Sequence, residues 1–230
     1  MSPAPDRAAA LPPVSAPAVF LDRDGTLIEE AELVERPEQL VILPGVAEAI
    51  RALRAAGFRI VVVTNQSAIA RGRLDVARLE AVHRALGERL RVLGAGLDAI
   101  YFSPDPPDPE AERSQPFARR KPGAGMLLEA AREHGLRLDR SWMVGDQPRD
   151  VLAGRRAGCL GSLLVRTGRT PVSAEAAPEA DGVFADLAEA ARFILARIDR
   201  AGAADLARAG EGSDPPGPAS DPESQAGPTA

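Results

Sequence analysis

Ala18-Val19-Phe20-Leu21-Asp22-Arg23-Asp24-Gly25-Thr26-Leu27 is the stretch on which the reading of this chain turns. Ala18 to Leu21 is short, apolar and unalternating, as expected of a strand buried on both faces of a parallel sheet, and charge begins abruptly at Asp22. The carboxylates therefore sit at the strand's carboxyl end. Asp22 and Asp24 are two residues apart, so an extended or gently turning backbone points both the same way. Gly25 lets the chain swing aside and Thr26 can tie the turn through its hydroxyl. Two aspartates held that close invite a divalent cation; the plainer alternative is a solvated Asp-Gly turn.

Outward from this stretch, composition sets the limits of the fold. The 230 residues suffice for one domain with a full core, or one domain plus tails. Residues 1–17 are dominated by Ala and Pro, and residues 201–230 are rich in Gly, Pro, Ser and acids, so both ends are expected to be disordered around a folded body over 18–200. Asp205, Glu211, Asp214, Asp221 and Glu223, set against Arg208, place most of the formal net charge of −5 in the tail. The body is then near neutral, and no basic patch argues for a nucleic-acid partner. No segment approaches the ~18 apolar residues that a membrane span needs, and the N-terminus lacks a basic region followed by a long apolar core. The expectation is a cytoplasmic monomer with no membrane partner. Cys159, the one cysteine, permits no intramolecular disulfide and reads as a small buried filler.

The remaining elements follow in order. Ile28 to Leu43 reads as a flap over the end of the first strand, and Pro44 opens a helix carrying Val46, Ile50 and Leu53 that stops at Ala56-Gly57. Phe58 to Val63 is a second buried strand ending in Thr64-Asn65-Gln66-Ser67. A helix from Asp75 to about Leu93 carries Val76, Leu79, Val82, Leu86 and Leu90 at helical spacing. Leu97 to Phe102 is a third strand, and Ser103 to Arg120 a long proline-rich loop. A helix from Gly123 to about His134, a strand from Ser141 ending in Asp146, a helix over Val151 to Ala157, a strand over Leu160 to Val165 and a helix from Leu187 to Ile198 complete the pattern. Strands alternating with helices imply a parallel sheet with right-handed crossovers. In such a sheet a ligand binds outside the carboxyl ends of the strands, where Asp22, Thr64 and Asp146 all fall, with Lys121 at the mouth of a helix.

These four motifs resemble the haloacid dehalogenase superfamily of phosphotransferases: Asp-x-Asp-Gly-Thr, a strand-end Thr, a Lys and a Gly-Asp-x-x-x-Asp, in that order. Longer blocks, Phe20 to Leu27, Val34-Glu35-Arg36-Pro37-Glu38, Val63 to Gly72 and Arg120-Lys121-Pro122, are similar to its heptose bisphosphate phosphatase branch and to the related histidinol-phosphate phosphatases. The resemblance covers residues 18–200. It implies an α/β fold, a Rossmann-like three-layer sandwich with a mainly parallel sheet and a minimal cap or none. It also implies a Mg²⁺-dependent phosphatase acting on a small phosphorylated sugar, most closely a heptose 1,7-bisphosphate at its 7-phosphate. A histidinol-phosphate phosphatase and a non-catalytic phosphosugar-binding protein are the alternatives.

By this resemblance Asp22 is the nucleophile and Asp24 the acid and base. Asp22, Asp146 and the backbone of Asp24 are the metal ligands, and Asp150 supports them. Thr64, Asn65, Gln66 and Lys121 would meet the reacting phosphate and Arg120 the distal part of the substrate, with Arg71 and Arg73 as further cations nearby. Taken singly, Asp146 could be a helix cap and the arginines solvated surface. His83 and His134 match no motif and are read as structural.

Three departures stand out. Gln147 occupies a usual Lys position, and Ala68 a usual Gly position. The families also carry a structural zinc on Cys-x-His and Cys-x-Cys, where this chain has Ser103-Pro104-Asp105 and Phe117-Ala118-Arg119. No structural zinc is therefore expected, and Phe117 is expected to pack inward to compensate.

Overall fold

Four wholly apolar residues, Ala18–Leu21, form strand β1, and their burial on both faces places them mid-sheet. The computed structural model describes residues 16–169, 175 and 177–210, with 199–210 described as helical backbone only. The expectations for residues 1–15 and 211–230 lie outside the described residues. In chain order the elements are β1, α1 (Val46–Ala55), β2 (Arg59–Asn65), α2 (Val76–Val92), β3 (Ala99–Ser103), α3 (Pro109–Ser114), α4 (Gly125–His134), β4 (Trp142–Gly145), α5 (Pro148–Ala157), β5 (Gly161–Val165), β6 (Gly182–Phe184) and α6 (Leu187–Gly210). The six strands lie in the order β3-β2-β1-β4-β5-β6, all parallel. The chain next to β1 leaves in opposite directions, toward β2 and toward β4, so the carboxyl end of β1 is the switch point of the sheet.

Alternate strand residues face opposite layers. Val19, Leu21, Ile60, Val62 and Val144 pack with Ile50 and Leu53 of α1, Leu86 and Leu90 of α2, and Leu187 and Ile194 of α6. Phe20, Val61, Val63 and Met143 pack with Met126, Leu127 and Ala130 of α4 and with Ala153 and Ala157 of α5. Helices on both faces of a parallel sheet make the expected three-layer α/β fold. Glu29 N donates to Val41 O and Leu43 N to Leu27 O, and Arg89 of α2 donates to the carbonyls of Leu40 and Pro37. The flap over 28–43 is thereby held down, and no inserted cap domain interrupts the described residues.

Several boundaries differ from those read in the sequence. The folded body includes two residues before the boundary placed at 18, since Ala16 pairs with Leu136 and Pro17 O accepts from Arg59 N at 2.9 Å. The final helix runs on through Gly210, past the boundary placed at 200, because Ala201 to Arg208 is rich in strong helix formers. The chain divides within this helix, after Leu195, into the units Met1–Leu195 and Ala196–Ala230. Strand β6 and helix α3 were absent from the sequence reading. Asp108 caps α3, its carboxylate accepting from Glu110 N and Ala111 N, with Pro109 at the first position. The long loop is therefore partly helical.

Phe117 does not pack inward: it is 67% exposed. Ala124 N and Gly125 N donate to the carbonyls of Pro116 and Ala118, which commits that segment's backbone to the start of α4 and turns the ring outward. The brace is supplied by arginines. Arg119 Nε donates to Phe102 O and its guanidinium pairs with Glu129, while Arg156 Nη1 donates to the carbonyls of Glu112 and Pro122. Ser103 Oγ bonds Asp105 Oδ2 at 2.8 Å, using the two groups that stand at one half of the zinc positions. Elemental analysis of purified protein is expected to find no stoichiometric zinc, and zinc-selective chelators to leave Tm unchanged. A tightly held zinc in each chain would overturn the register.

Candidate active site

The turn after β1 is built on close approach. Asp22 N still donates to Val144 O at 3.0 Å, keeping sheet register, and the chain then bends through Gly25 at φ +74. A Cβ at Gly25 would lie 2.7 Å from Asp146 Oδ2, so only glycine lets the β1 turn lie against the end of β4. Ala68 makes no comparable demand, since no residue other than glycine has positive φ among the described residues.

Lys121 is wholly buried; its ammonium donates to Val63 O at 2.7 Å and forms ion pairs with Asp22 Oδ1 at 2.9 Å and Asp150 Oδ1 at 2.7 Å. Burial works against its charge, but Asp150 and Asp22 outweigh it and raise the pKa above the ordinary lysine value. Arg23 N also donates to Asp22 Oδ1, at 2.7 Å. One carboxylate oxygen each from Asp22, Asp146 and Asp150 fall within 4.8 Å of one another. Asp150 Oδ2 accepts from Gln147 N and its Oδ1 has only the ion pair with Lys121, whereas Asp146 Oδ1 is buried with neither a hydrogen bond nor an ion pair among the described residues. Burial, and then the Asp22 and Asp150 charges, push Asp146 up to about 7. An orphaned, like-charged, all-oxygen cluster fits a hard divalent cation between Asp22 and Asp146, with Asp150 supporting.

The Asp24 side chain lies outside that cluster. Arg23 grips it with Nε at 3.2 Å and Nη2 at 2.9 and 3.0 Å, and Gln66 Nε2 donates to its Oδ2 at 3.0 Å. Only its backbone is left as a candidate ligand. Gln66 Nε2 also reaches Thr64 Oγ1 at 2.9 Å, so Thr64, Gln66 and Asp24 form one chain of contacts at the carboxyl ends of β1 and β2.

Asn65 has a role beyond the one expected. Its side-chain amide pairs both ways with the Lys121 backbone, Nδ2 to O at 2.9 Å and Oδ1 from N at 3.0 Å, because an amide is the natural complement of a peptide group. It therefore positions Lys121 with one of its two amide hydrogens, and it also lines the cavity that holds Asp24. Arg120 donates to Asp105 O at 3.0 Å and lines a cavity of about 260 Å³ with Asp105 and Glu112. It is not on the wall of the cavity of about 220 Å³ that holds Asp24, Asn65, Gln66, Arg71 and Arg149. Arg73 is tied to Glu32 at 2.9 Å, while Arg71 bonds Ser67 and stays at the cavity.

Arg149 escaped the sequence reading, although its place just before Asp150 in the Gly145-Asp146-Gln147-Pro148-Arg149-Asp150 turn was a usable signal. Desolvation opposes its charge, but Asp150, Asp22, Asp146 and Glu30 outweigh it and raise its pKa. Gln147 bonds Asp146 Oδ2 at 2.8 Å, so the position carries a neutral donor beside the cluster. His83 sits 3.1 Å from Arg23 Nη1, and burial, with Arg23 beside it, pushes its pKa down to about 3. His134 packs edge-on against Tyr101, as a structural residue would.

The chain is similar to known proteins. A family model described as HAD-hydrolase-like matches residues 118–190. The D-glycero-D-manno-heptose-1,7-bisphosphate 7-phosphatase of Thermosynechococcus vestitus is 42% identical over 191 residues, covering 79% of this chain and 97% of that protein. The D-glycero-beta-D-manno-heptose-1,7-bisphosphate 7-phosphatase of Escherichia coli (strain K12) is 38% identical over 181 residues, 78% of this chain and 94% of that protein. Among solved structures, D,D-heptose 1,7-bisphosphate phosphatase from B. bronchiseptica, complexed with magnesium and phosphate, matches with a TM-score of 0.66 at 33% identity, covering 79% of this chain and 99% of that one.

Proposed function

We propose, since this chain belongs to the haloacid dehalogenase-like phosphatases, that it hydrolyses the 7-phosphate of D-glycero-D-manno-heptose 1,7-bisphosphate with Mg²⁺ as cofactor. The observation that carries the reading is buried Asp22, held by Lys121 beside Asp146 and two residues before the clamped Asp24. Asp22 attacks phosphorus and forms an aspartyl phosphate while the sugar oxygen leaves; Asp24 gives that oxygen its proton. Asp24 then takes a proton from the water that opens the aspartyl phosphate, returning Asp22 to its starting state. Lys121 and the Thr64 hydroxyl, both at the carboxyl end of β2, stand where phosphoryl oxygens need donors. A divalent cation bound by Asp22, Asp146 and the Asp24 backbone would supply charge neutralisation to those oxygens.

A turnover panel of heptose 1,7-bisphosphate, histidinol phosphate and other sugar phosphates tests the reading. EDTA-treated protein is expected to be inactive, Mg²⁺ to restore it, and the heptose bisphosphate to give the highest kcat/KM. Higher kcat/KM on histidinol phosphate would transfer the assignment to that substrate. Inactivity on every ester would leave a binding protein.

A further inference from the structure

We propose that His83 is a positioning residue for the acid-base aspartate: its imidazole fixes the Arg23 guanidinium, and Arg23 in turn aims Asp24 into the cavity. The inference rests on the phosphatase reading of the site.

Arg23 is 2% exposed, and each of its guanidinium nitrogens has a partner: Nε and Nη2 fork onto Asp24, and Nη1 points back at His83 Nε2 at 3.1 Å. A guanidinium has donors only, so Nε2 must accept and the imidazole proton sits on Nδ1. A neutral ring is what this burial beside an arginine enforces. His83 comes from the buried face of α2, where Leu79, Val82, Leu86 and Leu90 supply the packing, and its ring meets Phe102 edge-on at 5.9 Å. Packing alone would be served by another aliphatic residue. An aliphatic residue there would leave a buried N–H of Arg23 unpaired, and the guanidinium would rotate to find an acceptor.

That rotation has a functional consequence because, among the described residues, the Asp24 carboxylate is held by Arg23 and Gln66. The fork sets the plane of the carboxylate, and the carboxylate must meet the leaving oxygen and then the incoming water. Misplacement by about 1 Å costs on the order of 10²-fold in such steps. The chain of contacts thus runs from the middle of α2, through a buried cation, to the acid.

The test uses the full chain with His83→Leu and His83→Gln, on the preferred sugar phosphate and on p-nitrophenyl phosphate, whose leaving group departs without protonation. His83→Leu is expected to lower kcat on the sugar phosphate by about tenfold or more with KM within about twofold. Its pre-steady-state nitrophenolate burst should keep the wild-type rate. His83→Gln, whose carbonyl can accept from Arg23, should recover most of kcat. An unchanged kcat, a burst that falls in proportion, or a Gln variant no better than Leu would overturn the proposal. Should His83→Leu fail to fold, Arg23→Lys, which keeps the charge and loses the fork, must show the same kcat-only loss, and wild-type kcat in it overturns the proposal. A wild-type protein inactive on all esters sinks the phosphatase reading and this inference together; active wild type with a silent His83→Leu sinks the inference alone.

Discussion

Asp22→Asn is expected to abolish turnover while the protein stays folded. The amide is isosteric, and Lys121 keeps its ion pair with Asp150 and its hydrogen bond to Val63 O, so the buried ammonium is not stranded. What disappears is the anionic oxygen that attacks phosphorus, and no neighbouring group can take its place. Asp24 is gripped by Arg23 and Gln66, and Asp150 by Lys121 and Gln147. Loss of a nucleophile leaves only binding and electrostatic contributions, so the fall in kcat should reach roughly 10⁴-fold, about 5 kcal/mol of transition-state stabilisation. Steady-state kinetics alongside thermal melting measures both halves of the claim. Turnover within tenfold of wild type would exclude the covalent mechanism, and a collapsed melt would mean that Asp22 is needed for the fold as well.

The parts of this molecule that were legible in the sequence are those where one physical demand dominates. A strand buried on both faces must be apolar throughout, so β1, β2, β4 and β5 could be read from runs such as Ala18–Leu21 and Ile60–Val63, and with them the carboxylates at their ends. Strand β6 could not, because Gly182–Phe184 is three half-buried residues at the sheet edge, too short for any period. Helix α3 was hidden by its own start signal, since Asp108-Pro109 also reads as a turn. Within the site the motif residues were found, but their partners were not. Asn65 looks like a phosphate donor in the sequence, and only the fold reveals that its side-chain amide also pairs with the Lys121 peptide. Arg23 reads as a variable residue between two aspartates, and His83 lies sixty positions away on a helix; nothing local pairs them. Long-range polar pairing between buried groups leaves no periodic trace.

Lys121→Met should fail in both stability and catalysis, for separable reasons. In the native chain the ammonium sits between Asp22 and Asp150, with Asp146 close by, all four groups nearly or wholly buried. Replacing it by an uncharged side chain of similar length leaves carboxylates facing one another without a counter-charge, and breaking a buried pair from one side costs about 3–5 kcal/mol. For a domain of this size that corresponds to a Tm lowered by roughly 10 °C. Activity should be lost as well, since the cation at the reacting phosphate is gone. The double variant Lys121→Met, Asp150→Asn separates the two effects. The second substitution removes the uncompensated charge, so much of the lost Tm should return while turnover stays absent. Arginine is no substitute for Lys121, because its planar fork cannot meet Asp22, Asp150 and the Val63 carbonyl from one nitrogen. Differential scanning calorimetry and kinetics on wild type and both variants decide the matter. Wild-type Tm in Lys121→Met would show that the buried pair contributes nothing to stability, and restored turnover in the double variant would remove Lys121 from the catalytic machinery.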